Sequence, residues 1–592
     1  MVRIAHQPRN AAAAPVGRVT RVNGPLIEVT GLRRVSMFDV VEVGESRLPG
    51  EVVAIRAEVA TVQAYEYTGG LAPGAPARSR GEPLSAPLGP HLLGGVFDGL
   101  LRPLSRAGVW LDPAAARSGP GNPRFMFSPS VTAGAAADAG ATLGTVAVPG
   151  PVNYRVLVPP GTSGRVEQVR ATGPCRANGV VATVGGTRIR LTSPWPVRLP
   201  RPARERLAAS APLLTGQRVI DTLFPVVRGG TAAVPGGFGT GKTLLLQQIA
   251  KWSDADVIVY VGCGERGNEL ADVLKELAEL TDPRTGGPLA QRTVVIANTS
   301  NMPMMAREAS IYSAAAVAEH FRDMSLDAVV IADSTSRWAE ALREFASRGG
   351  ELPAEEGFPA GLASALAAFY ERAGRVVTEA GAEGSVTIIG AVSPPGGDMT
   401  EPVTTHTQRF VRCLWTLDRD LAYARHYPAV SWTASFSRDD AVAGAWHARN
   451  GDPGWAERKG RLAALLAEAD RLSLLAELVG ASAMPGRERV TMLAGSLIRE
   501  AVLQQSALSP LDASCGAARA AALADAVLGV VDRCQALIEG GLDAAVIEDQ
   551  DFSPILRARE DAATADAVRG CRDAMLARLA HVARPGSRQA VP

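Results

Sequence analysis

Hydrophobic and polar positions alternate in short pieces over residues 16–22, 38–43 and 59–65, and Gly and Pro separate the pieces. Period-two alternation turns one face of a strand to a core and the other to water, so the pattern predicts a small N-terminal β-barrel over residues 1–75. Across residues 105–194 Gly, Pro, Ala and Val dominate without a helical period. Recurring valine-rich strands there predict a loop-rich β insertion within a connecting segment, residues 76–200. The pattern then changes. Uninterrupted apolar runs at 257–261, 294–297, 329–332 and 386–389 alternate with amphipathic stretches between residues 201 and 437. Strands buried on both faces have this appearance, and the rhythm predicts an α/β domain with a parallel sheet flanked by helices. From 438 to 592 Leu and Ala recur at three- and four-residue spacing, clearly at 460–469 and 517–531, which predicts a C-terminal α-helical bundle.

Composition narrows the setting. A chain of 592 residues, 46% of them hydrophobic, can bury several cores. Lys and Arg total 61 against 60 Asp and Glu, so no global field attracts nucleic acid or an anionic membrane, and partners have to be recognised locally. Cys175, Cys263, Cys413, Cys515, Cys534 and Cys571 form no C-x-x-C pair and no zinc spacing, as expected of reduced packing residues in a cytosolic protein. The seven histidines form no H-E-x-x-H helix. The alanine run at 11–14 is too short for a signal-peptide core, and no apolar run approaches the roughly 20 residues of a membrane span, so the chain is expected to be soluble.

The strongest chemical signal is Pro235-Gly236-Gly237-Phe238-Gly239-Thr240-Gly241-Lys242-Thr243, which follows the apolar run 231–234 and precedes the apolar-periodic stretch 244–249. Strand, glycine loop and helix come in the order of a triphosphate cradle. Glycines let successive N–H groups turn toward phosphate oxygens, Lys242 adds a mobile positive charge, and the Thr243 hydroxyl is placed to ligate magnesium. The alternative, a glycine-rich turn that matches by accident, does not account for the flanking strand and helix.

Hydrolysis needs more than binding: a metal anchor, a group that orients water, and positive charge at the terminal phosphate. Asp333 ends the run 329–332, so its carboxylate is expected at the C-terminal edge of the sheet, beside the phosphate loop, in the magnesium shell. Its alternative is an N-cap for the helix that follows. Glu265 and Arg266 end the run 257–261 and should reach the same edge, Glu265 to polarise water and Arg266 to contact the terminal phosphate. Alternatively the two charges pair, or cap the next helix.

Residues 236–243 and 262–269, Asn298-Thr299-Ser300-Asn301-Met302-Pro303, and the stretches 306–312 and 332–344 together closely resemble the catalytic A subunit of vacuolar- and archaeal-type rotary ATPases. Ser393-Pro394-Pro395-Gly396-Gly397-Asp398, Arg425-His426-Tyr427-Pro428-Ala429-Val430, Trp195-Pro196-Val197-Arg198 and Thr68-Gly69-Gly70-Leu71 extend the match, which is nearly continuous over 203–432 and fades across 105–190 and beyond 516. The resemblance implies a RecA-like nucleotide domain that works with Mg2+ and ATP or ADP, with Lys242, Thr243, Asp333, Glu265 and Arg266 in the roles above. It implies an alternating hexameric ring of three catalytic and three non-catalytic B-type subunits, the latter supplying an arginine finger. Central shaft and peripheral stalk subunits and a membrane ion rotor complete the complex, which would hold this chain on the cytoplasmic side of the membrane. It also places adenine on Tyr427, which otherwise reads as an ordinary buried tyrosine, and on a second aromatic shortly after a Gln-Gln pair. Here Gln504-Gln505-Ser506-Ala507-Leu508 has Leu508 where Phe or Tyr is expected and Ser506 where Asn is usual. Apolar contact survives that change and π-stacking does not. Two other readings stay open: the non-catalytic subunit of the same machine, which predicts no competent phosphate loop, and a hexameric nucleic-acid motor on the same sheet, which predicts a basic-aromatic surface that the neutral charge balance does not suggest.

Overall fold

A computed structural model describes residues 16–106 and 123–582; the alanine run at 11–14 lies outside them. The predicted order of barrel, β insertion, parallel-sheet domain and helical bundle is what the chain adopts. Six strands close the N-terminal barrel, and the last of them, Pro76–Pro83, pairs with both Gly17–Asn23 and Asp39–Val43. The barrel therefore runs past the expected limit at residue 75. Its core is small and aliphatic, with Val19, Ile27, Val41 and Val62 facing inward.

The insertion is more regular than its composition predicts. Two four-stranded antiparallel sheets pack there, one built on Arg124–Pro129 and Thr142–Ala147, the other on Gly164–Val169 and Val180–Val184. Short strands between glycine turns carry too few residues to display a period, which is why the sequence suggests loops.

The central sheet runs Thr231–Pro235, Glu383–Val392, Asp327–Asp333, Val257–Glu265, Thr293–Thr299 in spatial order, with all neighbours parallel. Antiparallel additions flank it: Gly374–Val377 beside Glu383–Val392, and Phe436–Ser437 beside Cys413–Leu414. One edge strand, Val96–Phe97, comes from the connecting segment. Both faces of the central strands are buried under helices such as Lys242–Trp252 and Met304–Asp323. Arg198 joins barrel to sheet domain, giving 2.8 Å to Glu51 and 2.7 Å to Glu308. Beyond residue 437 the long helices Trp455–Val479, Gly486–Leu497 and Ala517–Glu539 pack against one another, and their apolar faces join the core of the sheet domain. Five of the six cysteines are buried and all six are free.

Candidate active site

The phosphate loop sits between the strand Thr231–Pro235 and the helix Lys242–Trp252. Gly239 (φ 80°) and Gly241 (φ 83°) occupy the left-handed region, which strains any residue with a Cβ. A Cβ at Gly237 or Gly239 would meet nothing within 4 Å, so the backbone there faces open space that phosphate oxygens can enter. At Gly236 a Cβ would come 2.8 Å from the Cβ of Leu417 and from the Thr240 hydroxyl, so the floor of the loop is packed while its mouth is free. Thr240 Oγ1 donates to the Gly237 carbonyl at 2.9 Å. Lys242 Nζ lies over the loop and donates to the carbonyls of Gly236 (2.5 Å) and Gly237 (3.1 Å), contacts that phosphate oxygens can replace. Phe238 is 89% exposed at the tip.

Parallel register sets Gly262 opposite Asp333, so both strands deliver their last residues to one edge. Asp333 is 3% exposed. Its Oδ2 accepts hydrogen bonds from the Thr243 hydroxyl at 3.2 Å and the Tyr260 hydroxyl at 3.0 Å. The helix Thr335–Gly349 has Ser334 at its N-cap, which removes the capping alternative for Asp333. Burial raises the Asp333 carboxyl above its ordinary value, against the opposing pull of Tyr260, Lys242 and Thr243. A hydroxyl and a carboxylate sharing one space are hard oxygen donors, which suits magnesium completed by phosphate and water. Among the described residues no group of three or more His, Cys, Asp or Glu is placed to hold a metal.

Glu265 lies half-buried at the end of its strand. Burial first, and the charge of Asp333 second, push its carboxyl up to about 7, while Arg337 pulls the other way. A carboxylate poised near neutrality suits a general base. Burial also lowers the Lys242 ammonium, against the attraction of Asp333 and Glu265. Lys242, Thr243, Asp333 and Glu265 thus act on one another electrostatically. Arg266 does not join them here: it precedes the helix Gly267–Glu279, its side chain 71% exposed, with Nη1 3.7 Å from Glu269 Oε1. The guanidinium whose charge is felt by both Lys242 and Glu265 is that of Arg337. Sequence reasoning missed Arg337 and Tyr260. A signal existed for the first, because a cation in the opening turn of a helix opposes the helix dipole and calls for a local reason.

A cleft of about 310 Å³ opens beside the loop, lined by Gly241, Tyr427 and residues 504–508 among others. Tyr427 is half-buried, and its ring carbon lies 3.2 Å from where a Cβ of Gly241 would stand, so the glycine admits the ring. The Gln505 N–H donates to the Tyr427 carbonyl at 2.8 Å, tying the two remote segments together. Leu508 sits at the rim, 95% exposed.

Four family models match this chain: the ATP synthase alpha/beta family β-barrel domain at 19–81, the barrel-sandwich domain at 120–198, the nucleotide-binding domain at 216–437, and the C-terminal domain of V and A type ATP synthase at 444–543. The V-type ATP synthase alpha chain of Anaeromyxobacter dehalogenans strain 2CP-C is 49% identical over 574 residues, covering 95% of this chain and 99% of that relative. The chain belongs to the V- and A-type ATP synthase alpha-chain family. Relatives in that family include the V-type ATP synthase alpha chain of Nitrosococcus oceani, 48% identical over 89% of this chain and 91% of its own length, and the corresponding A-type ATP synthase chain of Sulfolobus acidocaldarius, 46% identical over the same shares. As a member of this ATP synthase family the chain is a catalytic, nucleotide-binding subunit that makes or hydrolyses ATP. No helix among the described residues is long and apolar enough to cross a membrane.

Proposed function

We propose that the nucleotide is held and turned over at the junction of the phosphate loop with the edge formed by Glu265 and Asp333. The backbone of Gly236, Gly237, Phe238, Gly239, Thr240 and Gly241 binds the phosphates, and Lys242 exchanges its carbonyl partners for phosphate oxygens. Thr243 and Asp333 are the proposed residues for Mg2+, which when bound supplies positive charge to the phosphate oxygens. Glu265 takes a proton from the attacking water in hydrolysis and returns it in synthesis. Arg266 is the proposed cation for the terminal phosphate, reached by turning from its exposed position beside Glu269; Arg337 adds a second positive charge at the same edge. Tyr427 supplies a face for the base, with Leu508 at the rim. The observation that carries this reading is the buried Asp333 carboxylate, which accepts from Thr243 and whose charge helps raise Glu265 to about 7.

The partners are proposed as B-type non-catalytic subunits alternating with this chain in a six-membered ring and lending an arginine to each site. A central shaft, peripheral stalks and a membrane rotor carrying protons or sodium ions would complete the assembly, and no nucleic acid takes part. The chain would lie on the cytoplasmic side, held to the membrane through its partners. In the assembled ring, Glu265→Gln should cut turnover about 1,000-fold with nucleotide still bound. Retained turnover would remove Glu265 from the chemistry.

A further inference from the structure

The cleft holds one aromatic face, Tyr427, where the family resemblance expects two. Leu508, in the second place, is 95% exposed and offers no π face. A planar group stands elsewhere in the same cleft. Arg559 lines it, and the residue lies beyond the segment 444–543 matched by the C-terminal family model. Its side chain is only 15% exposed, with Nη1 2.8 Å from Asp512 Oδ2 and Nη2 3.0 Å from Glu560 Oε1. Guanidinium donors lie in the plane of the group, so partners at its edges fix the plane without using its faces. Asp512 is itself fully buried and is held by Arg218 Nη1 at 2.5 Å and by the Ser506 N–H at 2.7 Å. The plane of Arg559 is therefore anchored to the same loop, 504–508, that the Gln505 N–H ties to Tyr427.

We propose that Arg559 is a base-binding residue, a cationic stacking plane that takes the place of the missing aromatic. The inference rests on the proposed role of Tyr427 as the first face. Stacking of a guanidinium on a base is favourable for any base, since each has a π face, so Arg559 contributes affinity with little choice between adenine and guanine. Asp512 positions it and does not touch the nucleotide.

The test uses the full chain, titrated calorimetrically with ATP, GTP and inorganic tripolyphosphate. Arg559→Lys keeps the positive charge beside Asp512 and removes the plane. It should bind tripolyphosphate as the unaltered chain does and bind ATP and GTP each about tenfold more weakly. Adding Leu508→Phe to Arg559→Lys should restore most of the loss. Unchanged ATP affinity in Arg559→Lys overturns the proposal, and so does a parallel loss of tripolyphosphate, which would mark a scaffold role through Asp512. If the unaltered chain gains nothing from the base, binding ATP no better than tripolyphosphate, the Tyr427 assignment falls and Arg559 with it. If it binds none of the three, the proposed site itself is wrong.

Discussion

The two ends of the proposed nucleotide site are built differently. At the phosphate end, recognition is a property of backbone geometry: a run of eight consecutive residues, Gly236 to Thr243, sets its own conformation through left-handed glycines, and two parallel strands bring carboxylates to it. At the base end, recognition is a property of side chains gathered from far apart. Tyr427 comes from the sheet domain and residues 504–508 from the helical domain; a backbone hydrogen bond joins the two, and the ion pairs of buried Asp512 stand behind the second. A backbone cradle tolerates changes elsewhere, while an assembled pocket is only as well defined as the network behind it. The base end should therefore be the easier of the two to disturb from a distance.

Arg218 offers the largest separation of the two ends. It is wholly buried at the start of the helix Arg218–Leu223, donating from Nε to the Val502 carbonyl at 2.8 Å, from Nη1 to Asp512 at 2.5 Å, and from Nη2 to the Gln504 carbonyl. Arg218→Met strands the acceptors and should destabilise the docking of the helical domain by about 3–5 kcal/mol, the usual range for breaking a buried pair. Thermal melting would show this as an earlier transition, and ATP affinity should fall while tripolyphosphate affinity holds. Equal loss of both ligands would mean that the phosphate end also depends on this network, and the contrast would vanish.

At the phosphate end the contrast can be read through pH. Glu265 accepts a proton only when ionised, and its carboxyl is held at about 7, so kcat/KM for hydrolysis should rise about tenfold per pH unit below 7 and level off above it. The stability response has the opposite sign. A carboxyl raised on folding stabilises the fold most below its ordinary value near 4.5, and that contribution is lost as pH rises through 7. Glu265→Gln should therefore melt higher than the unaltered chain at pH 8 and show no such difference at pH 4. A pH-independent kcat/KM between 6 and 8 would argue against Glu265 as base.

Tyr260→Phe probes the same end more gently. Its hydroxyl lowers the Asp333 carboxyl, so removing it should raise that carboxyl further and weaken magnesium-dependent ATP binding, more at the lower of two pH values than at the higher. Equal weakening at both pH values would point to lost packing instead.

Legibility in the sequence followed the same division. Strands buried on both faces, such as Val257–Glu265 and Asp327–Asp333, announce themselves by uninterrupted apolar runs, and parallel pairing then brings the residues that end them to one edge without further information. Asp333 and Glu265 could be located from that rule. Arg266 could be placed at the edge but not aimed, because a long side chain at the mouth of a helix chooses its direction from neighbours that no linear pattern specifies. The closing barrel strand Pro76–Pro83 was missed because its polar, proline-flanked residues carry little alternation. Arg218, Asp512 and Arg559 were invisible for a deeper reason: nearly 300 residues separate the first from the second (|i−j| of 294), and only the folded core makes them neighbours.

Leu508→Phe is the smallest change and the sharpest for the base end. Leu508 sits exposed at the rim of the cleft, so an aromatic ring there should not disturb the core. A new stacking face should tighten ATP and GTP binding about threefold, less than one stacked base usually contributes, because Arg559 already covers part of the same ground. In the Arg559→Lys chain, where that cover is gone, the same substitution should recover closer to tenfold. The two positions then fail to add, as residues sharing one partner do. Equal gains in both backgrounds would show that Leu508 and Arg559 face different parts of the nucleotide. Unchanged ATP and GTP affinities in the single variant would show that the missing aromatic costs this cleft nothing.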